Sequence, residues 1–137
     1  KRHFIDPSLA CAILGLSSKK LIYDMKTFGF MFESLVYRDL CIYMNYLDGK
    51  VYHFRDNVSG DEVDAILEFK DGNIGAVEIK LNYEEDSIAS AKKSLLTFSE
   101  NSMVKPKFLC IIVSGFGGTY KDEETGIYLV PINALKP

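Results

Sequence analysis

The chain has no long apolar run and no recognisable leader. Its longest apolar stretch is 109–113, Leu-Cys-Ile-Ile-Val, whereas a membrane-spanning helix needs about 20 such residues. The first residues, Lys-Arg-His-Phe, show neither an initiator methionine nor a signal-peptide pattern. These absences argue against a membrane-spanning helix and a membrane partner, and they predict that the chain is part of a longer protein.

Cysteine and histidine are also scarce. The three cysteines, Cys11, Cys41 and Cys110, lie in apolar surroundings and show no paired spacing. Such cysteines are typical of small buried side chains that stay reduced, so we expect a cytoplasmic protein without disulfides. The two histidines lie far apart in the sequence, which argues against a zinc site.

A basic excess is missing as well. The net charge is −3, whereas nucleic-acid-binding proteins usually carry an excess of lysine and arginine. This lowers the expectation of a DNA-binding protein but leaves room for a local basic groove. With 47% hydrophobic and 26% charged residues over 137 positions, the composition is that of a globular domain, which we expect to span residues 1–137.

The order of helical and strand patterns predicts an α/β fold. Apolar spacing and capping residues predict helices over 9–14, 17–25, 30–47 and 84–99. Alternating or continuous apolar runs predict strands over 51–56, 62–69, 74–81, 108–113 and 127–131. We expect Gly29 to precede the longest helix rather than to lie inside it. The sequence shows no internal repeat and no low-complexity linker, which favours one domain.

Two of these strands carry charged residues in an informative pattern. In Glu78-Ile79-Lys80 the acid and the lysine are two positions apart, so both point to the same face of their strand. Asp64 lies on the preceding strand and supplies a second carboxylate. Hard divalent cations prefer oxygen ligands, so two carboxylates beside an ammonium indicate a site for Mg²⁺ or Mn²⁺ that acts on a phosphate.

This hypothesis depends on the turn between the two strands. If the turn has two residues, Asp71-Gly72, position 64 pairs with position 79, and Asp64 and Glu78 point to opposite faces. If it has three residues, 70–72, with Gly72 in the left-handed conformation, position 64 pairs with position 78. The site therefore requires an odd-length turn or a bulge.

Other charged residues are weaker candidates. Glu33 lies on the apolar stripe of the longest helix, where a buried carboxylate needs a partner; alternatively it reaches solvent at the helix edge or pairs with Arg38. Arg55 is suited to a phosphate contact, although a structural salt bridge explains it equally well. Glu62 is a reserve ligand, since alternation puts it on the face of Asp64. Taken singly, each acid on a strand is more typical of a solvated position than of a catalyst.

At these residues the chain resembles the PD-(D/E)xK nuclease-like superfamily. Glu33 matches the acid of the first core helix, Asp64 that of the second core strand, and Glu78-Ile79-Lys80 the ExK element. The resemblance implies a restriction-endonuclease-like core, with the order helix, three-strand meander, helix, strand. An N-terminal helical extension and an extra C-terminal strand would then flank that core.

A narrower pattern joins four stretches: 4–9 (Phe-Ile-Asp-Pro-Ser-Leu), 29–33 (Gly-Phe-Met-Phe-Glu), 54–55 (Phe-Arg) and 62–64 (Glu-Val-Asp). It resembles the uncharacterised C-terminal domain that follows an AAA+ ATPase domain in many bacterial and archaeal proteins. This resemblance implies an AAA+ ATPase domain in the same polypeptide as a partner, and it leaves oligomerisation open.

Two functions follow as hypotheses. In the first, the domain hydrolyses DNA phosphodiester bonds, with Asp64 and Glu78 as ligands of Mg²⁺ or Mn²⁺ and with Lys80 and Glu33 as catalytic residues. Arg55 would contact the substrate. In the second, the domain is an inactive accessory module of the ATPase that docks a partner or oligomerises.

Overall fold

A computed structural model describes residues 3–58, 60–115 and 117–136 of the chain. The remaining positions, 1, 2, 59, 116 and 137, lie outside the described residues, and so do both ends of the domain expected over 1–137. Over the described ranges the chain forms four α-helices and six β-strands that pair in one mixed sheet. The expected α/β class is therefore confirmed.

The helices are α1 (Pro7–Ile13), α2 (Ser18–Tyr23), α3 (Met25–Tyr46) and α4 (Glu85–Asn101). The strands are β1 (Lys50–Arg55), β2 (Glu62–Glu68), β3 (Ile74–Lys80), β4 (Phe108–Val113), β5 (Tyr120–Lys121) and β6 (Tyr128–Pro131). A single 3-10 turn follows β6 at Ile132–Ala134 in the described part of the chain.

Capping side chains begin the first three helices. The carboxylate of Asp6 accepts the backbone N–H of Ser8 at 2.8 Å, and Ser17 caps α2 in the same way. Asp24 accepts the N–H of Thr27 at 3.0 Å, so α3 begins five residues before the expected start at position 30. Gly29 therefore lies inside α3, contrary to the sequence prediction, because the cap satisfies the first turn and outweighs the low helix propensity of one glycine.

The strand order in the sheet is β1-β2-β3-β4-β6-β5. Strands β1, β2 and β3 form an antiparallel meander. Strand β4 is parallel to β3, and α4 lies between them in sequence as the crossover that parallel neighbours require. Strand β6 is parallel to β4, and the two-residue β5 pairs antiparallel with β6. The sequence did not predict β5, since two residues are too few to show an alternating pattern.

The sheet is packed on both faces. One face packs against α3 in a cluster formed by Phe32, Val36, Leu40, Met44, Ala65, Leu67, Val77, Ile79, Cys110 and Ile112. The other packs against α4 in a cluster formed by Val63, Ile66, Ala76, Ala91, Leu95, Phe98, Ile111, Val113, Ile127 and Leu129. Strands β3 and β4 contribute to both clusters, which explains the continuous apolar run in β4.

The three cysteines are free thiols, but only Cys110 has the buried position that the sequence predicted for all of them. Cys110 is buried, and this burial raises the pKa of its thiol to about 12. Cys11 and Cys41 are only half-buried. Among the described residues, no helix is both long enough and apolar enough to cross a bilayer.

Candidate functional site

The turn between β2 and β3 has three residues. The N–H of Phe69 donates to the carbonyl of Asn73 at 2.9 Å, and the N–H of Gly72 donates to the carbonyl of Phe69 at 2.9 Å. Gly72 adopts φ = 80°, the left-handed region that glycine enters without steric cost. The odd-length turn that the site hypothesis required is therefore confirmed.

The turn sets the register of the two strands. Paired positions run from Glu68 opposite Ile74 to Ala65 opposite Val77. Continued by one residue, this register sets position 64 opposite position 78. The pairing in the structure ends at Ala65 and Val77, next to the two acids that the sequence analysis singled out.

The pairing of β1 with β2 contains a bulge beside Asp64. Tyr52 lies opposite Ile66, but Phe54 lies opposite Val63. Two residues of β2 at positions 64–65 therefore stand opposite one residue of β1 at position 53. Such a bulge bends its strand and turns side chains away from regular alternation. The direction of the Asp64 carboxylate consequently does not follow from alternation alone.

Asp64, Glu78 and Lys80 converge at this point. The Nζ atom of Lys80 donates to Oε2 of Glu78 at 2.6 Å and lies 3.9 Å from Oδ2 of Asp64. The same Oδ2 accepts the backbone N–H of Ile79 at 2.9 Å. Only 8% of the Asp64 side chain and 5% of the Glu78 side chain are exposed, against 26% for Lys80. Two buried carboxylates thus lie within reach of the same ammonium.

The donor set suits a cation that keeps much of its water shell. Among the described residues, no group of three or more His, Cys, Asp and Glu side chains has the geometry to hold a metal ion. Mg²⁺ is commonly bound through one or two carboxylates, with water and phosphate oxygens completing the octahedron. The pair Asp64 and Glu78 fits that mode, whereas it does not form an all-protein cage.

Glu33 of α3 contacts a histidine near the start of the chain. Its Oε1 atom is 3.7 Å from Nδ1 of His3, and the His3 ring stacks on Tyr37 with a centroid distance of 4.1 Å. Within the described ranges Glu33 does not form one metal-binding group with the other two acids. Arg38, the alternative partner considered for Glu33, instead contacts Asp39 at 2.7 Å.

A histidine that the sequence analysis used only against zinc lies next to the site. His53 in β1 places Nδ1 3.3 Å from the carbonyl oxygen of Asp64 and Nε2 3.2 Å from Oε1 of Glu62. Glu62, the reserve ligand, therefore contacts His53. Arg55, the candidate for a phosphate contact, is exposed at the end of β1 opposite Glu62. The alternation of β1 places His53 and Arg55 on one face, a signal that was visible in the sequence.

Comparison with known proteins adds a family and a fold. Residues 28–135 match the family described as Domain of unknown function (DUF4143), and no curated protein matches the chain. One similar solved chain belongs to the structure described as a refined half-complex from a tetradecameric assembly of Thermococcus gammatolerans McrB AAA+ hexamers with bound McrC. The TM-score is 0.50 and the sequence identity is 12%. The match covers 75% of this chain but only 27% of the length of the other chain. At that identity the likeness is one of fold.

Proposed function

The chain belongs to the DUF4143 family, and from this premise we propose that it is a metal-dependent nuclease-like domain that hydrolyses DNA phosphodiester bonds in association with an AAA+ ATPase. The observation that carries the proposal is the convergence of Asp64, Glu78 and Lys80 on β2 and β3. Two buried carboxylates at one point are oxygen donors of the kind that Mg²⁺ and Mn²⁺ prefer, and a divalent ion held there would also bind a phosphate ester.

The proposed roles follow from the geometry. Asp64 and Glu78 would hold Mg²⁺ or Mn²⁺, which lowers the pKa of a bound water and counters charge on a scissile phosphate. The N–H of Ile79 holds one oxygen of Asp64 in place. Lys80 contacts both carboxylates, and its ammonium would orient a water or stabilise the charge that develops on the phosphate.

Two further residues have supporting roles in this proposal. Glu33 would act through water, oriented by its contact with His3. Arg55, exposed at the end of β1, would contact a neighbouring phosphate, for which its forked guanidinium is suited. The order α3, β1 to β3, α4 and β4 supports assignment to the restriction-endonuclease-like core of the PD-(D/E)xK superfamily, with α1 and α2 as the N-terminal extension.

The test is cleavage of single-stranded, duplex and branched DNA with Mg²⁺ or Mn²⁺. We expect the wild-type chain to cleave at least one substrate, and Lys80→Ala to lose about 100-fold to 1,000-fold in rate, as when one charge-stabilising donor is removed from an active site. Lys92→Ala is the matched control, because Lys92 pairs with Asp122 away from the carboxylate pair. Equal cleavage by wild type and Lys80→Ala would contradict the proposal.

A second candidate is an accessory module that docks on the ATPase without cutting DNA. It is favoured by large apolar side chains that the N-terminal segment 5–23 leaves exposed, among them Ile5, Ile13 and Tyr23 with 93%, 76% and 90% of their surface accessible. The fold likeness to a chain from an AAA+ assembly also supports it. If wild type cleaves no DNA and calorimetry detects no Mn²⁺ binding, this candidate replaces the first.

A further inference from the structure

The hydrogen-bond ladder between β2 and β3 is interrupted at the candidate site. In an antiparallel pair, hydrogen-bonded positions alternate with positions that are not hydrogen-bonded. Because Phe69 and Asn73 form a hydrogen-bonded pair, the alternation assigns the next ones to 67 with 75, 65 with 77 and 63 with 79. The N–H of Ile79 would therefore be expected to meet the backbone of Val63. Instead it donates to the side chain of Asp64 at 2.9 Å.

The bulge in β2 accounts for this exchange of partner. Positions 64 and 65 of β2 share one partner position on β1, so the strand contains one extra residue. On the N-terminal side of the bulge, Val63 lies in the same α4-side cluster as Ile66. Two residues separate them, whereas two residues on one face of a regular strand have one or three residues between them. The local rotation of the backbone lets the Asp64 carboxylate reach across to β3, where it meets Ile79 and approaches Lys80.

A bulge leaves backbone groups outside the hydrogen-bond ladder of the sheet. The His53 ring contacts one of them, the carbonyl of Asp64. It stands opposite the bulge, and its Nδ1 atom lies 3.3 Å from the carbonyl oxygen of Asp64. The Oε1 atom of Glu62 lies 3.2 Å from the other ring nitrogen. With only 13% of its side chain exposed, the ring is enclosed between these two contacts and the His3 ring, whose centroid is 6.5 Å away.

We propose that His53 is a positioning residue, which holds the β2 bulge in the form that directs the Asp64 carboxylate onto β3. It acts through Asp64 and need not touch the metal or the DNA. The inference rests on the proposed function, since Asp64 is one of the two ligands named there. Loss of a residue that orients a metal ligand typically lowers metal affinity about 10-fold to 100-fold. We expect an effect of this size from the loss of His53.

The test measures the Asp64–Ile79 hydrogen bond directly. We would record amide hydrogen exchange by NMR for wild type, His53→Ala and His53→Asn, with Tyr52→Ala as a control on the same strand. We expect His53→Ala to speed exchange at Ile79 at least about tenfold while the amides of β4 stay protected. In His53→Asn the side-chain amide can donate to the Asp64 carbonyl, so protection should largely return.

Mn²⁺ titration by calorimetry supplies the second measurement. His53→Ala should weaken Mn²⁺ binding about 10-fold to 100-fold, and His53→Asn should restore most of it. Unchanged exchange at Ile79 in His53→Ala overturns the inference, and so does faster exchange spread evenly over the sheet in both variants. If wild type binds no Mn²⁺, the proposed function fails, while the exchange data still decide the role of His53.

Discussion

Two lysines of this chain contact buried or half-buried carboxylates in different ways. Lys80 lies between Asp64 and Glu78, whose side chains are 8% and 5% exposed. Lys92 of α4 pairs with Asp122 in the segment between β5 and β6, where the two side chains are 30% and 20% exposed. The first contact therefore involves two acids in the interior, whereas the second involves an acid near the surface.

The difference separates a candidate site from a structural contact. Asp122 also accepts the N–H of Thr125 at 2.8 Å and its hydroxyl at 2.6 Å, so it anchors a loop. Its pKa lies well below the usual carboxyl range because Lys92 donates to it, with Thr125 as the next cause. An ion pair by itself therefore does not distinguish a functional site from a structural contact. The burial of two carboxylates beside one lysine is what marks the Lys80 contact.

The largest expected effect on stability is at Lys80. Lys80→Met keeps the length of the side chain but removes the ammonium from two buried carboxylates, and breaking a buried pair in this way costs about 3 kcal/mol. We expect urea unfolding at neutral pH to show this loss, and added Mg²⁺ to recover part of it. Lys92→Met should lose less, because its partner is closer to solvent. Equal losses for the two variants would remove the distinction between the contacts.

A smaller effect is expected at the turn that brings the two acids together. Gly72→Ala places a side chain at φ = 80°, which costs about 1–2 kcal/mol. Gly29→Ala is the matched control: Gly29 lies inside α3, and nothing lies within 4 Å of an added Cβ. That change should stabilise the protein by about 0.5–1 kcal/mol. Denaturant unfolding measures both, and a neutral Gly72→Ala would argue against the left-handed turn.

The smallest expected effect is the loss of the stabilising contribution of Asp122 at low pH. Because the pKa of Asp122 in the folded protein lies below its ordinary value of 3.8, its contribution to stability is complete above that value and is lost as the pH falls below it. Asp122→Asn should therefore melt at a lower temperature than wild type at pH 7, and the gap should narrow in increasingly acidic buffer below about pH 3.8. Thermal melts across that range give the comparison, and a gap independent of pH would refute it.

Much of the fold could be predicted because its signals are local. Cap residues and apolar spacing placed the helices. Alternating or continuous apolar runs placed β1, β2, β3, β4 and β6 within a residue or two of their ends. The same local reasoning failed at the start of α3. The helix begins at the Asp24 cap, so Gly29 lies inside it. The same reasoning also missed β5, whose two residues form a strand only because β6 lies beside them.

For the candidate site, the sequence determined that an odd-length turn or a bulge is required between β2 and β3, and the tertiary structure decided whether the chain has one. The two-residue spacing of Glu78 and Lys80 and the glycine at position 72 are local facts, and they left a two-residue and a three-residue turn open until the structure showed the longer one. The contact of Glu33 with His3 and the bulge opposite His53 depend on segments that only packing brings together. Side-chain alternation is a property of one strand, whereas a bulge is a property of two.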